Sequence, residues 1–211
     1  SKNDMNKIIG IGNALTDVMV KLPSGDILAK FELGRGSMVL VGSGLQMKIS
    51  EATASMPLTL SLGCSTGNTI RALAKLSVGT GFIGKVGQDT TGIFFEVALE
   101  NLGVKPSIYK GEKDSGRCLS LISPDGERTM ATHLGAALEM TDEEITPGIY
   151  DGFDCLYAEG YLVQNHGLIS KAVSHARECG MTVAVDLASF NVVNENLQFL
   201  HGLVNDYIDI V

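Results

Sequence analysis

Residues 63–92 read Gly-Cys-Ser-Thr-Gly-Asn-Thr-Ile-Arg-Ala-Leu-Ala-Lys-Leu-Ser-Val-Gly-Thr-Gly-Phe-Ile-Gly-Lys-Val-Gly-Gln-Asp-Thr-Thr-Gly. A small-residue loop, Gly63 to Gly67, runs into Asn68 and then into a helix with Ile70, Leu73, Ala74 and Leu76 on one face. A turn at 77–79, a short apolar strand at 81–83 and a second glycine turn follow. Small residues let a ligand approach the backbone, and a helix start beside them offers unpaired N–H donors. Loop, helix, strand and turn in this order define half of an α/β unit with a backbone-lined site at one end.

Outward from this stretch the pattern continues. Ile8 to Asn13 is an apolar run that reads as a buried first strand, and residues 17–22 as a second, half-exposed one. Strands are expected at 38–41 and 58–62, and a helix at 44–55. Phe94, Phe95, Ala98, Leu99 and Leu102 share one face of a helix over 91–102. Strands at 105–109 and 118–123 lead to Pro124-Asp125-Gly126-Glu127, a hairpin turn into a strand at 128–133. Thr141 with Glu144 forms a capping box. From residue 154 the rhythm is strand, helix, strand, helix, with Leu168, Ala172, Val173, Ala176 and Cys179 inward. Such alternation implies a parallel sheet with helices on both faces. Segments 17–42 and 105–133 break it and read as a separate small β-sheet lid within a single unit, 1–211. Ile208 to Val211 reads as part of a buried parallel strand, so the chain is expected to be the N-terminal portion of something longer.

Composition excludes several classes. With 45% hydrophobic and 19% charged residues the chain is globular, and 25 glycines exceed the usual ~7% share. A net charge of −8 without a Lys/Arg run argues against nucleic acid or an anionic membrane surface as partner. The absence of Trp and the few aromatics argue against a base-stacking platform. Cys64, Cys118, Cys155 and Cys179 lack metal or redox spacing and read as reduced thiols of a cytoplasmic protein. No apolar run reaches ~18 residues, and Ser1 to Asn6 lacks the apolar stretch of a signal peptide.

Several residues stand where chemistry is expected. Asp17, in Gly12-Asn13-Ala14-Leu15-Thr16-Asp17, can accept two hydrogen bonds from a vicinal diol, or be an ordinary turn aspartate. Asn68 offers donor and acceptor at the helix start, or serves as an N-cap. Glu159, Arg128, His133 and Asp186 lie at strand ends or after the hairpin turn; a structural reading stands level with the functional one for Glu159 and Asp186 and ahead of it for Arg128 and His133. Two other motifs fail: Leu15 replaces the third glycine of a dinucleotide fingerprint, and Val86 follows Gly84-Lys85 where a P-loop needs a hydroxyl.

Residues 61–92, with 7–17, 115–137 and 154–162, resemble the PfkB (ribokinase-like) family of carbohydrate and nucleoside kinases, nearest to its adenosine-kinase-like branch. The resemblance implies a Rossmann-like, ribokinase-like α/β fold with a β-sheet lid, and ATP- and Mg²⁺-dependent transfer of a phosphoryl group to a primary hydroxyl of a sugar or nucleoside. It implies that Asp17 and Asn68 bind acceptor hydroxyls, with Gly63, Cys64, Glu159 and His133 near the substrate. It implies that Arg128 neutralises phosphate from the lid and that Asp186 lies near the metal and phosphate region. It also allows a homodimer through lid strands. The family usually carries Gly-Gly where this chain has Gly63-Cys64, and some sugar-specific members carry Lys where Ser65 stands. The family's catalytic aspartate, anion hole and Asn-x-x-Glu motif are not in these residues, so the base is expected elsewhere and this stretch alone is expected to be inactive. A non-catalytic binding module and an interaction protein on the same fold are the alternatives.

Overall fold

A computed structural model describes residues 7–211; Ser1 to Asn6 lie outside the described residues. β1 (Ile8–Ile11) is the keystone, because it pairs in parallel with β5 (Thr80–Val86) on one side and β9 (Cys155–Ala158) on the other. β10 (Thr182–Val185) and β6 (Lys105–Lys110) complete a five-stranded parallel sheet of order β10-β9-β1-β5-β6. A strand buried on both faces needs a continuous apolar run, and Ile9 and Ile11 are fully buried.

Helices cover both faces, as alternation required. α3 (Ser65–Lys75) and α4 (Thr90–Asn101) pack Ile70, Phe95 and Leu99 against Phe82 and Val86. α5 (His166–Glu178) and α7 (Leu197–Tyr207) pack Leu168, Ala172, Leu200 and Leu203 against Ile9, Leu156 and Val183.

A second five-stranded sheet stands beside the first. It comprises β2 (Leu15–Lys21), β3 (Met38–Leu40), β4 (Leu58–Leu62), β7 (Gly116–Ile122) and β8 (Arg128–His133), in the order β3-β8-β7-β2-β4. One face is closed by α1 (Asp26–Lys30) and α2 (Ser43–Ala52), which pack Leu28 and Ile49 on Val20, Leu119 and Ala131. The hairpin turn forms as read, with Gly126 at φ +90 and Ser123 N–H donating to Glu127 O.

Several boundaries differ from the sequence expectation. β6, read with the lid, is an edge strand of the parallel sheet; β4 belongs to the second sheet. Leu76 and Cys179 are exposed because each caps the C-terminus of its helix, where the inward face has run out. The capping box opens only a 3-10 turn, Asp142–Glu144. The helix expected within 194–205 is two helices, α6 (Phe190–Glu195) and α7. Beyond α7 only Ile210 makes a parallel bridge, to Ala184, and Ile210 and Val211 are exposed.

Candidate acceptor site

β1, β9 and β10 all end at one edge of the parallel sheet, and the loops after them meet the loop that opens α3. This is the edge where open α/β sheets hold ligands. Gly63 N–H donates to Leu15 O at 2.8 Å, which ties the loop to the start of β2. A Cβ on Gly63 would stand 2.8 Å from Asp17 Cγ and 2.9 Å from Leu15 O, so Asp17 lies against bare backbone. Asp17 shares a row of the second sheet with Ser61, Cys118 and Thr132. Its carboxyl is half-buried, and burial raises its pKa while Arg128 and Arg71 pull it back. By pleat alternation Ser120 and Arg128 point to Asp17's face, and Arg128 Nη2 donates to Ser120 Oγ at 3.0 Å.

Cys64, not Asn68, caps α3. It takes φ +61, and its Sγ accepts from Gly67 N–H at 3.1 Å. Burial, then Glu159 nearby, pushes the thiol well above its ordinary range. The sulfur therefore turns toward the helix start and not toward Asp17. Asn68 is exposed in the first turn of α3, free of capping duty, with Oδ1 accepting from Arg71 Nη2 at 2.8 Å.

Glu159 is 1% exposed. Its Oε1 accepts from Asn13 Nδ2 at 3.1 Å and its Oε2 faces Thr66 N–H at 3.5 Å. Burial lifts its pKa to about 7, opposed by hydrogen bonds from Cys64, Asn13 and Thr66 and reinforced by Asp186. Asp186 is saturated by Ser65 Oγ at 2.9 Å, Tyr157 OH at 3.1 Å, Gly160 N–H at 3.2 Å and Ala188 N–H at 2.8 Å. It braces the loop after β10 and has no oxygen to spare. Among the described residues no three His, Cys, Asp or Glu side chains are grouped to hold a metal ion.

His133 does not join the group. Alternation along β8 puts it on the face opposite Asp17, in register with Arg117, where Nδ1 meets Val41 O at 3.2 Å. Conversely, sequence reasoning missed three aromatics. A cavity of about 630 Å³ opens beside Ser65 and is lined by Tyr157, Tyr161, Asp186 and Phe190. Phe190 is 75% exposed there, an aromatic face offered to solvent. Its position just after a strand that ends at the ligand-binding edge was the available signal.

Residues 51–198 match the family described as pfkB family carbohydrate kinase. The chain belongs to that family. It is 28% identical over 102 residues to guanosine-inosine kinase of Escherichia coli (strain K12), an alignment covering 46% of this chain and 24% of that one. Among solved structures, adenosine kinase from Sinorhizobium meliloti superposes with a TM-score of 0.82 at 25% identity, covering 97% of this chain and 64% of that one. Trypanosoma brucei brucei adenosine kinase gives 0.86 at 24% identity, covering 97% and 65%, and this shows the shared fold. The chain thus spans about a quarter of the curated relative it matches and less than two thirds of the solved chains. These relatives are nucleoside kinases. No helix among the described residues is long and apolar enough to cross a membrane.

Proposed function

We propose that this chain carries the acceptor-binding part of a kinase that transfers a phosphoryl group from ATP to a primary hydroxyl of a nucleoside. The aromatic-lined cavity carries the reading. Tyr161 and Phe190 line a space that Ser65 joins to the Gly63 loop, and Asp17 lies against Gly63 on the other side. A flat base suits the aromatic end, since base–aromatic stacking contributes ~1–3 kcal/mol. A ribose diol suits Asp17, a half-buried carboxylate with two acceptor oxygens. Asn68, exposed one turn into α3, is placed to meet the same sugar, and Arg128 shares Asp17's face to meet phosphate.

Neither of the other two carboxylates serves as the base that deprotonates the acceptor. Glu159 is enclosed and Asp186 is saturated, so both hold the loops in place. The unpaired edges of β3 and β4 in the second sheet support a homodimer through those strands.

Calorimetric titration with inosine, guanosine, adenosine, ribose and fructose tests the reading, together with phosphoryl transfer from ATP to each. Nucleosides should bind more tightly than ribose, and Asp17→Ala should abolish binding. Ribose binding equal to or tighter than every nucleoside would overturn the assignment of the aromatic cavity to a base.

A further inference from the structure

Glu159 costs the fold more than an ordinary side chain, and its position explains what the cost supports. A buried carboxylate is normally paired with a cation. Among the described residues none of the ion pairs includes Glu159. The titratable groups facing it are Cys64 at the start of α3, Tyr157 on β9 and Asp186 after β10, and none of them supplies positive charge. What it does meet are donors from separate segments: Asn13 in the β1–β2 crossover, and the Thr66 N–H at the start of α3. The packing is close. A Cβ on Gly12 would stand 3.2 Å from Glu159 Cδ and 3.0 Å from Thr66 Cβ. The turn it grips is under load, because Cys64 holds a positive φ that a non-glycine residue adopts only with strain.

We propose that Glu159 is a proton-linked positioning residue, which through Asn13 and the Thr66 N–H holds the Gly63–Asn68 segment, the turn that opens α3, in its closed, acceptor-ready form. This rests on the reading of that loop as the acceptor site. The sign follows from burial. Opening the loop admits water to the carboxylate, which favours its ionised form; protonation therefore favours the closed loop, and ionisation favours opening. With a pKa of about 7 when closed and the ordinary 4.5 when hydrated, the opening equilibrium rises about tenfold between pH 6 and pH 8.

Amide hydrogen exchange at 63–68, corrected for intrinsic rate, reads this directly on the protein without ligand. Protection should fall about tenfold from pH 6 to pH 8 in the parent protein and stay flat in Glu159→Gln. A flat parent profile, or the same slope in Glu159→Gln, would overturn the proposal. Should Glu159→Gln not fold, the side-chain ¹³C titration of the parent decides: a glutamate titrating near 7 supports the latch, and none above 5.5 refutes it. Nucleoside affinity over the same range separates the two readings. Loss of affinity parallel to loss of protection supports both. No nucleoside binding at any pH, with the exchange response intact, removes the acceptor reading and leaves the latch standing.

Discussion

Replacing Gly63 with alanine should couple to Asp17 and to little else. The new Cβ would lie 2.8 Å from Asp17 Cγ and 2.9 Å from Leu15 O, distances at which something must move. Leu15 O is held by Gly63 N–H itself, and the register Thr16↔Leu62 fixes both strands. The carboxylate is the softer partner and will swing out of its place. Overpacking of this kind costs about 1–3 kcal/mol, a sizeable share of a domain's stability. In an Asp17→Ala background Cγ is gone and only the carbonyl contact remains, so the same alanine should cost about 1 kcal/mol less. Denaturant unfolding of the four proteins in the cycle measures this, and nucleoside titration should show Gly63→Ala binding nearly as poorly as Asp17→Ala. Equal cost of Gly63→Ala in both backgrounds would refute the argument that Asp17 is seated on the glycine.

Phe190→Ala should leave stability within about 0.5 kcal/mol, because the ring is exposed, yet weaken nucleoside binding by about 1–3 kcal/mol; paired melts and titrations show whether the two separate. Asp89→Ala removes the α4 cap and acceptors for Ser115, costing about 0.5–2 kcal/mol in denaturant unfolding. Burial would raise the Asp89 carboxyl, but hydrogen bonds from Ser115 and Gly92 outweigh it and hold the pKa below 3.8. Its contribution is therefore present above pH 3.8 and lost as pH falls further, so parent and variant should converge in acid unfolding scans. Lys85→Met removes the cation beside Glu144 Oε1 while Thr141 N–H still holds Oε2, and should cost about 1.5–3 kcal/mol by chemical unfolding.

The elements with unbroken periodicity were legible: β1, α3, α4 and the hairpin turn at 123–127 all follow from local residue order. Sheet membership was not. Pro106 and the polar Lys105, Ser107 and Lys110 make β6 look like part of an excursion, but an edge strand tolerates proline and among the described residues β6 has no partner beyond β5. β4 pairs with β2 across more than forty residues (Ser61 opposite Asp17), and strand residues do not state their partners. At the site, the family resemblance and not spacing alone singles out Asp17, Gly63 and Cys64, and the fold seats Asp17 against Gly63. Glu159's burial was invisible, since it depends on Asn13, 146 residues away. Phe190 was missed because a lone aromatic in a short helix has no period to betray it. His133 was misplaced by one step of the pleat, which is enough to reverse its face.

The chain enters the second sheet twice, first for β2 to β4 and again for β7 and β8, returning to the parallel sheet between visits. β2 gains one neighbour soon after it is made, but its other edge waits for residues 116–122. Until then that edge offers free backbone groups to any passing strand. The second sheet therefore cannot mature ahead of the first or be excised from it. Closing the second sheet is a long-range step, in which the β7–β8 hairpin docks between β2 and β3.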